Sequence, residues 1–337
     1  MAAAELPLAT LPATGGPWLT VAWYPLLGVA VRRLTRPPVP EPATAKPLQV
    51  GSHDAPGIGL PEAAAFGAAI GWVARPRRAA IGLVLVVAAA TLLTGPDGRL
   101  HLTVLDIGQG DATLIEGPDG TAALVDGGVD PDLTLRRIGQ TLPFHERHIE
   151  VVILTHPHQD HLGGLGEVLR RYGVGALVDG GRPIHGEPHH RVLVAAHHEP
   201  EARVVAALAG QVIPLGGGAE IEILFPTPAD VARRLPDGDV NNASIVALLR
   251  YGRFSALLTG DAEAPVEALL AARGLLHPVD VLKVGHHGSD SGTTDAFLAL
   301  VKPSVAVISV GTDNDYGHPH RSTLDNLAEA HVDAVYR

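Results

Sequence analysis

The chain has 337 residues, 46% of them apolar and only 4% aromatic, which allows two domains or one large α/β domain with an appendage, cored by Val, Leu, Ile and Ala. With no cysteine, disulfides and thiolate metal sites are excluded, so any metal must sit on His, Asp or Asn. The net charge of −11 is uneven, with eight Lys/Arg against five Asp/Glu in residues 1–100 and seventeen against thirty-one beyond; this argues against broad electrostatic capture of nucleic acid, though bound cations can reverse a local field.

Residues 1–16 are rich in Ala, Pro and Gly and lack the basic start of a signal peptide. Pro17–Val31 is apolar, with Trp18, Trp23 and Tyr24 near one end and Arg32, Arg33 and Arg36 beyond the other, the layout of a short membrane-helix end. A Pro-rich loop (Arg36–Gly59) and a weakly apolar stretch (Ala63–Ala74) follow. Arg75, Arg77 and Arg78 precede Ala79–Thr94, which carries no charge and no amphipathic pattern. It reads as a membrane segment in preference to a buried helix, with its basic side in the cytoplasm and everything after Gly95 outside. Residues 1–95 are therefore expected to be a hydrophobic N-terminal region, a remnant of membrane helices.

Gly95-Pro96-Asp97-Gly98 is a turn and a domain boundary. Strands are predicted over Leu100–Ile107, Ala112–Glu116 and Thr121–Val125, the last two joined by the turn Gly117-Pro118-Asp119-Gly120. A helix over Pro131–Thr141 leads to a buried strand ending at Val151–Leu154, and a helix over Leu165–Arg171 follows. Further strands are predicted at Ala176–Asp179, Gln211–Leu215 and Glu220–Phe225. The His- and Glu-rich stretch Gly186–Glu201, with His189, His190, His197 and His198, shows no clear element and reads as a solvated loop. A hairpin of Ser244–Arg250 and Phe254–Thr259 turns at Tyr251-Gly252-Arg253. Helices over Ala264–Arg273, Asp295–Val301 and Ser322–Ala330 alternate with strands over Val279–Val284 and Val305–Val310. Strands first, then alternating strand and helix, twice over, imply two packed sheets flanked by helices. The end at Tyr336-Arg337 falls where a closing strand is expected, so the domain over 96–337 reads as C-terminally truncated.

Chemistry concentrates just beyond the strand ending at Leu154. His156, His158, Asp160 and His161 place four metal-binding side chains in six positions. His156 and His158 can point the same way from extended backbone, while Asp160 and His161 fall where the chain bends. Imidazole with carboxylate suits zinc, or manganese and iron where oxygen ligands dominate. Asp261 and His286 each follow another aliphatic strand, so three strand tips carry His or Asp.

These motifs resemble the metallo-β-lactamase superfamily: T-H-P-H-Q-D-H-L-G-G, L-L-T-G-D-A and V-L-K-V-G-H-H-G-S. Together with L-D-I-G-Q-G-D, L-V-D-G-G, N-N-A-S and N-D-Y-G-H-P-H, over Leu100–Arg337, they resemble more narrowly the C-terminal hydrolase domain of ComEC-type competence proteins. That likeness implies an α/β, αββα four-layer sandwich preceded by short hydrophobic segments, and two divalent ions, zinc or manganese. His156 and His158 would hold one ion, Asp160, His161 and His286 the other, with Asp261 bridging. The superfamily's further histidine is absent from Asp239–Ser244, and Asp111 or Asn241 are the candidate substitutes. Asp126 would orient a ligand from behind, and His287 would be a neighbour of His286. His318 and His320 would contact substrate phosphate or protonate the leaving group, or else only fix their loop, and join Asp160 and Asp261 as catalytic candidates. The resemblance implies a metal-bridging hydroxide as nucleophile and a nuclease acting on single-stranded DNA, at the cell membrane with its hydrolase domain outside, beside DNA-uptake machinery. The residues themselves imply only a metal-dependent hydrolase. A hydrolase of another ester, such as a cell-wall phosphodiester, and a non-catalytic docking module of a membrane DNA channel are the alternatives.

Overall fold

The structure, a computed structural model, describes residues 82–87, 95–180, 186–232 and 240–337. Two mixed sheets hold the chain beyond residue 95 together. The first contains β1 (His101–Val104), β2 (Thr113–Glu116), β3 (Ala122–Val125), β4 (His148–Leu154), β5 (Gly173–Asp179) and β6 (Arg203–Ala206) in sequence order. The β1–β2–β3 pairs are antiparallel, and β3 to β6 run parallel. The second sheet, β7 (Val212–Pro214) to β13, repeats the plan. β8 (Ala219–Phe225), β9 (Val246–Tyr251) and β10 (Phe254–Leu258) extend it antiparallel; β11 (Val281–Lys283), β12 (Val305–Val307) and β13 (Ala334–Tyr336) add parallel strands.

The helices are α1 (Pro131–Thr141), α2 (Gln159–Leu162), α3 (Leu165–Arg171), α4 (Glu187–His198), α5 (Pro228–Ala232), α6 (Ala264–Ala272), α7 (Asp295–Val301) and α8 (Arg321–Glu329). Local chemistry starts several of them. The Asp130 carboxylate accepts from Asp132 N and Leu133 N ahead of α1, with Pro131 in the first turn, and Thr294 Oγ1 accepts from Phe297 N ahead of α7.

Three apolar layers follow from strand alternation. Along β4, Val152 and Leu154 face Ile138, Leu165 and Leu169 of α1 and α3, while Val151 and Ile153 face Ile221, Ile223 and Leu249 of the other sheet. Both faces are buried, which is why the strand reads as an unbroken aliphatic run. On the far side, Leu257, Leu282 and Ala306 pack against Val266, Leu270, Phe297 and Leu327 of α6, α7 and α8. The result is the helix–sheet–sheet–helix sandwich expected, with the C-terminal ends of β3, β4, β10, β11 and β12 carrying the residues of interest.

Some expectations need correction. Gly186–Glu201 is not a loop: α4 fills it, because Val192, Ala195 and Ala196 stand at helical spacing and pack into the α1–α3 layer. Its histidines masked that stripe, and His189 is buried with Nε2 3.0 Å from Asp179 Oδ2. Ala334–Tyr336 forms β13, paired parallel with β12. Among the described residues no helix is long and apolar enough to cross a membrane. Pro17–Val31 and Ala63–Ala74 lie outside the described residues, and Ala79–Thr94 is described only over 82–87, which is helical.

One part-buried ion pair ties α5 to the end of α6. Asp230 accepts from Arg273 Nη1 and Nη2, both at 2.7 Å, and from Thr227 N and Oγ1. Burial would raise this carboxyl, but Arg273 and Thr227 hold it below the ordinary range. Arg273→Ala leaves a carboxylate that is 6% exposed without its bidentate partner. The expected loss is about 3 kcal/mol, read as a fall in Tm of roughly 6–12 °C. A depressed folded pKa stabilises above the unfolded value of about 4 and is lost as pH falls through the folded one, so the Tm gap between wild type and variant narrows in acid.

Candidate metal centre

At the sheet edge, Asp261 follows β10 and lies 2% exposed. Its Oδ2 is 3.2 Å from His161 Nε2, 3.4 Å from His287 Nε2 and 3.8 Å from His156 Nε2. Each imidazole is held from behind. Asp126, at the end of β3 with φ 60°, turns its carboxylate back to accept from Thr155 N at 2.8 Å, Thr155 Oγ1 at 2.7 Å and His161 Nδ1 at 2.8 Å. Asp tolerates that left-handed backbone better than most residues, and the bond fixes Nε2 of His161 toward Asp261. His156 Nδ1 lies 3.2 Å from both Ser244 Oγ and Thr155 Oγ1, and Ser244 Oγ also accepts from Asp261 N. His287 Nδ1 donates to Ser309 O at 2.9 Å, and its Nε2 is 3.1 Å from Asp160 Oδ2.

Asp111 completes the cluster from the β1–β2 connection. Its backbone N donates to Asp160 O at 3.0 Å, an approach that Gly110 permits: at φ +115° an added Cβ would stand 2.2 Å from that same oxygen. Lys283, buried at the end of β11, pairs with Asp111 Oδ2. Asp111 Oδ1, Asp261 Oδ1 and His161 Nε2 are buried and make no hydrogen bond. Buried polar atoms without a hydrogen bond are rare unless something else fills their coordination, and oxygen with imidazole nitrogen is a fit donor set for a divalent cation.

Four groupings bring ligand atoms within 4.8 Å of one another: His156–His161–Asp261, Asp160–His161–His287, Asp111–Asp126–His161 and Asp111–Asp261–His287. His158 sits at the rim, its Nδ1 3.0 Å from His156 Nε2. His286 joins none of the groupings. Two successive left-handed residues, His286 at φ 46° and His287 at φ 52°, send the adjacent rings apart. His287 enters the cluster, whereas His286 Nδ1 meets Glu263 Oε1 at 2.9 Å and Ser291 Oγ at 3.1 Å. Asn241 lies beside His286, its Nδ2 3.3 Å from His286 Nε2, so the segment lacking the superfamily histidine reaches His156 through Ser244 instead. Sequence reasoning passed over Lys283, Ser244, Thr155 and Glu263, although Lys283 stands in the quoted V-L-K-V-G-H-H-G-S run.

The electrostatics follow from burial and mutual proximity. Burial would raise Asp111, but the Lys283 ammonium and His287 bring it to about 2. Asp261, also opposed by burial, is held well below the usual carboxylate range by His161 and His287. In return, burial would lower His161 and His287, yet Asp261 with Asp126 keeps His161 well above its ordinary value, and Asp261 with Asp111 raises His287 to about 12. Burial and the neighbouring His161 push His156 the other way, so it keeps a lone pair. The cluster thus holds protons between carboxylates at the positions that suit cations.

The loop before α8 forms the rim. Asn314 braces it, donating to Gly311 O and His318 O and accepting from Tyr316 N and His318 N. His318 stacks at 29° and 6.3 Å on His287; burial and the nearby His286, His320 and His287 lower it to about 4, so it is uncharged near neutral pH. That favours a neutral contact over the acid role considered for it. His320 Nδ1 accepts from Asp290 N at 2.9 Å, which fixes the start of α8.

Comparison with known proteins agrees with this arrangement. Residues 105–312 match the model of the metallo-beta-lactamase superfamily. The chain is 33% identical over 256 residues to Recombination protein 2 of Haemophilus influenzae, covering 74% of this chain and 29% of that protein. It is 33% identical over 191 residues to ComE operon protein 3 of Bacillus subtilis (57% and 24%), and 29% identical over 245 residues to Competence protein ComA of Neisseria gonorrhoeae (70% and 30%). The matched part therefore spans less than a third of each of these relatives. With ligand-bearing strand ends of both sheets meeting at one edge, the chain belongs to the metallo-beta-lactamase superfamily, and within it to the ComEC-type competence proteins.

Proposed function

We propose that the chain is a divalent-metal-dependent phosphodiesterase that cuts single-stranded DNA during DNA uptake. The observation that carries this reading is the convergence of His156, His161 and His287 on one oxygen of Asp261. His156 and His158 would hold one ion, Asp160, His161 and His287 the other, with Asp261 as a shared ligand and Asp111 grouped with Asp261 and His287. His287 takes the place expected of His286, because the backbone turns only the former ring inward. Two ions, zinc or manganese, would acidify a bound water and offset charge on a phosphate.

The protein's own part is to fix that geometry and exclude rivals. Asp126, Ser244 and Ser309 orient the imidazoles, and Lys283 keeps Asp111 from rotating away. His318 and His320 line the entrance where a phosphate would arrive. Relatives named for competence and recombination support placing the activity beside DNA-uptake machinery. Residues 1–95 would supply a membrane anchor and the hydrolase domain would lie outside the cytoplasm, a placement resting on the charge-free run Ala79–Thr94.

Metal analysis and a cleavage assay on the full chain test this. Asp160→Ala and His287→Ala should each lose metal and lower kcat/KM on single-stranded DNA by about a thousandfold, the scale of several kcal/mol of cation stabilisation. His286→Ala should keep its metal. Equal metal loss in His286→Ala and His287→Ala would reject the ligand assignment. No bound ion in wild type would favour the docking role, and cleavage of a cell-wall phosphodiester with DNA intact would favour the other ester.

Metal binding should also be pH-dependent in a stated direction. His287 is protonated near neutrality without metal, and a cation needs its lone pair, so binding must release protons and tighten as pH rises. Calorimetry in buffers of different ionisation enthalpy should report release of about one to two protons per centre; uptake of protons would contradict the site.

A further inference from the structure

Tyr316 is a rim residue that the metal centre does not explain. The residue is 66% exposed, in a chain where aromatic residues make up only 4%. One face lies on His318 at 24° and 5.7 Å between centroids, and His318 in turn stacks on His287. The rings therefore form a short staircase from the carboxylate cluster outward, with Tyr316 as its last step. Its loop is braced by four Asn314 hydrogen bonds, so the ring is presented from a fixed support rather than a trailing tip.

An aromatic left open beside such a site contributes little to packing, but it offers a flat face to a ligand. Nucleobases are the flat partners that a phosphodiester polymer carries, and one base–aromatic stack is sequence-tolerant. A chain with a net charge of −11 has little electrostatic pull on a polyanion outside its metal centre, so a contact made through the bases would supply affinity that charge does not. Bases in a duplex have both faces occupied; those of a single strand do not.

We infer that Tyr316, backed by His318, is the platform on which a nucleobase adjoining the scissile phosphate stacks, so that the site selects single-stranded nucleic acid through its bases. This rests on the phosphodiesterase reading above. Tyr316 is a specificity-determining residue here, with no part in metal binding.

The test compares wild type with Tyr316→Ala, Tyr316→Phe and Tyr316→Trp on two substrates with the same backbone: a short oligothymidylate, and an oligomer of abasic tetrahydrofuran units. Tyr316→Ala should raise KM for the oligothymidylate by about five- to hundredfold, the range for one lost stack. Its kcat, its kcat/KM on the abasic oligomer, its Tm and its metal content should stay as in wild type. Phe and Trp should restore the oligothymidylate KM, since the ring face matters and the phenol does not. Equal losses on both substrates, or no loss on either, would overturn the platform. If wild type itself neither binds nor cuts the oligothymidylate, the DNA-cleaving reading fails and the platform fails with it. If wild type cuts it and Tyr316→Ala does too with unchanged KM, only the platform is lost.

Discussion

A single carboxylate oxygen, Asp261 Oδ2, with three imidazole nitrogens within 3.8 Å, is what the rest of the sandwich is arranged to hold. Removing a carboxylate from water costs several kcal/mol unless positive charge accompanies it. Here the charge arrives as protons on His161 and His287 or as cations in their stead. Each imidazole is pinned by a residue from another strand end: Asp126 after β3, Ser244 before β9, Ser309 after β12. The site is therefore assembled from both sheets, and its precision depends on the inter-sheet layer of Ile153, Ile223, Leu249 and Leu258. A cation bound there would stabilise the packing of one sheet on the other as much as the site itself.

Much of this was legible because it is local. Strand β4 announces itself as an aliphatic run buried on both faces, and the histidines and aspartate after it fall within six positions, so their convergence follows from one strand tip. Asp261 was legible for the same reason, as a carboxylate beyond the aliphatic β10. Helices α1, α3 and α7 start where Pro131, the Gly163-Gly164 pair and Thr294 stand.

What was hidden depends on backbone sign or on distant partners. Strand alternation offers no means of deciding which of His286 and His287 faces inward, because both adopt positive φ, outside either regular period. Lys283 reads as the polar end of a strand until folding brings Asp111, which is 172 positions away in sequence, against its ammonium. Helix α4 was obscured in a different way: its buried face is Val192, Ala195 and Ala196, three modest residues among histidines that dominate the composition of the stretch. Small apolar residues give a weak periodic signal, yet they suffice where a close helix–sheet contact requires little volume.

In the reading proposed above, the charge at the centre would also explain how an acidic chain could serve a polyanion. Asp111, Asp126, Asp160 and Asp261 face one fixed ammonium, that of Lys283, a formal −3 before any histidine proton is counted. Empty of cations, such a cluster repels a phosphate, and the imidazolium protons only soften that repulsion. Two divalent ions, in the reading proposed above, carry the sum to +1 and displace those protons at the same time. The sign of the local field then changes with loading, while the surface charge does not. Substrate capture and metal loading are in that case one linked equilibrium: phosphate binding tightens the hold on the ions as much as the ions make phosphate binding possible. The four carboxylates that make the metal-free cluster hostile to an anion would, once ions are bound, be the ones that make it select an anion.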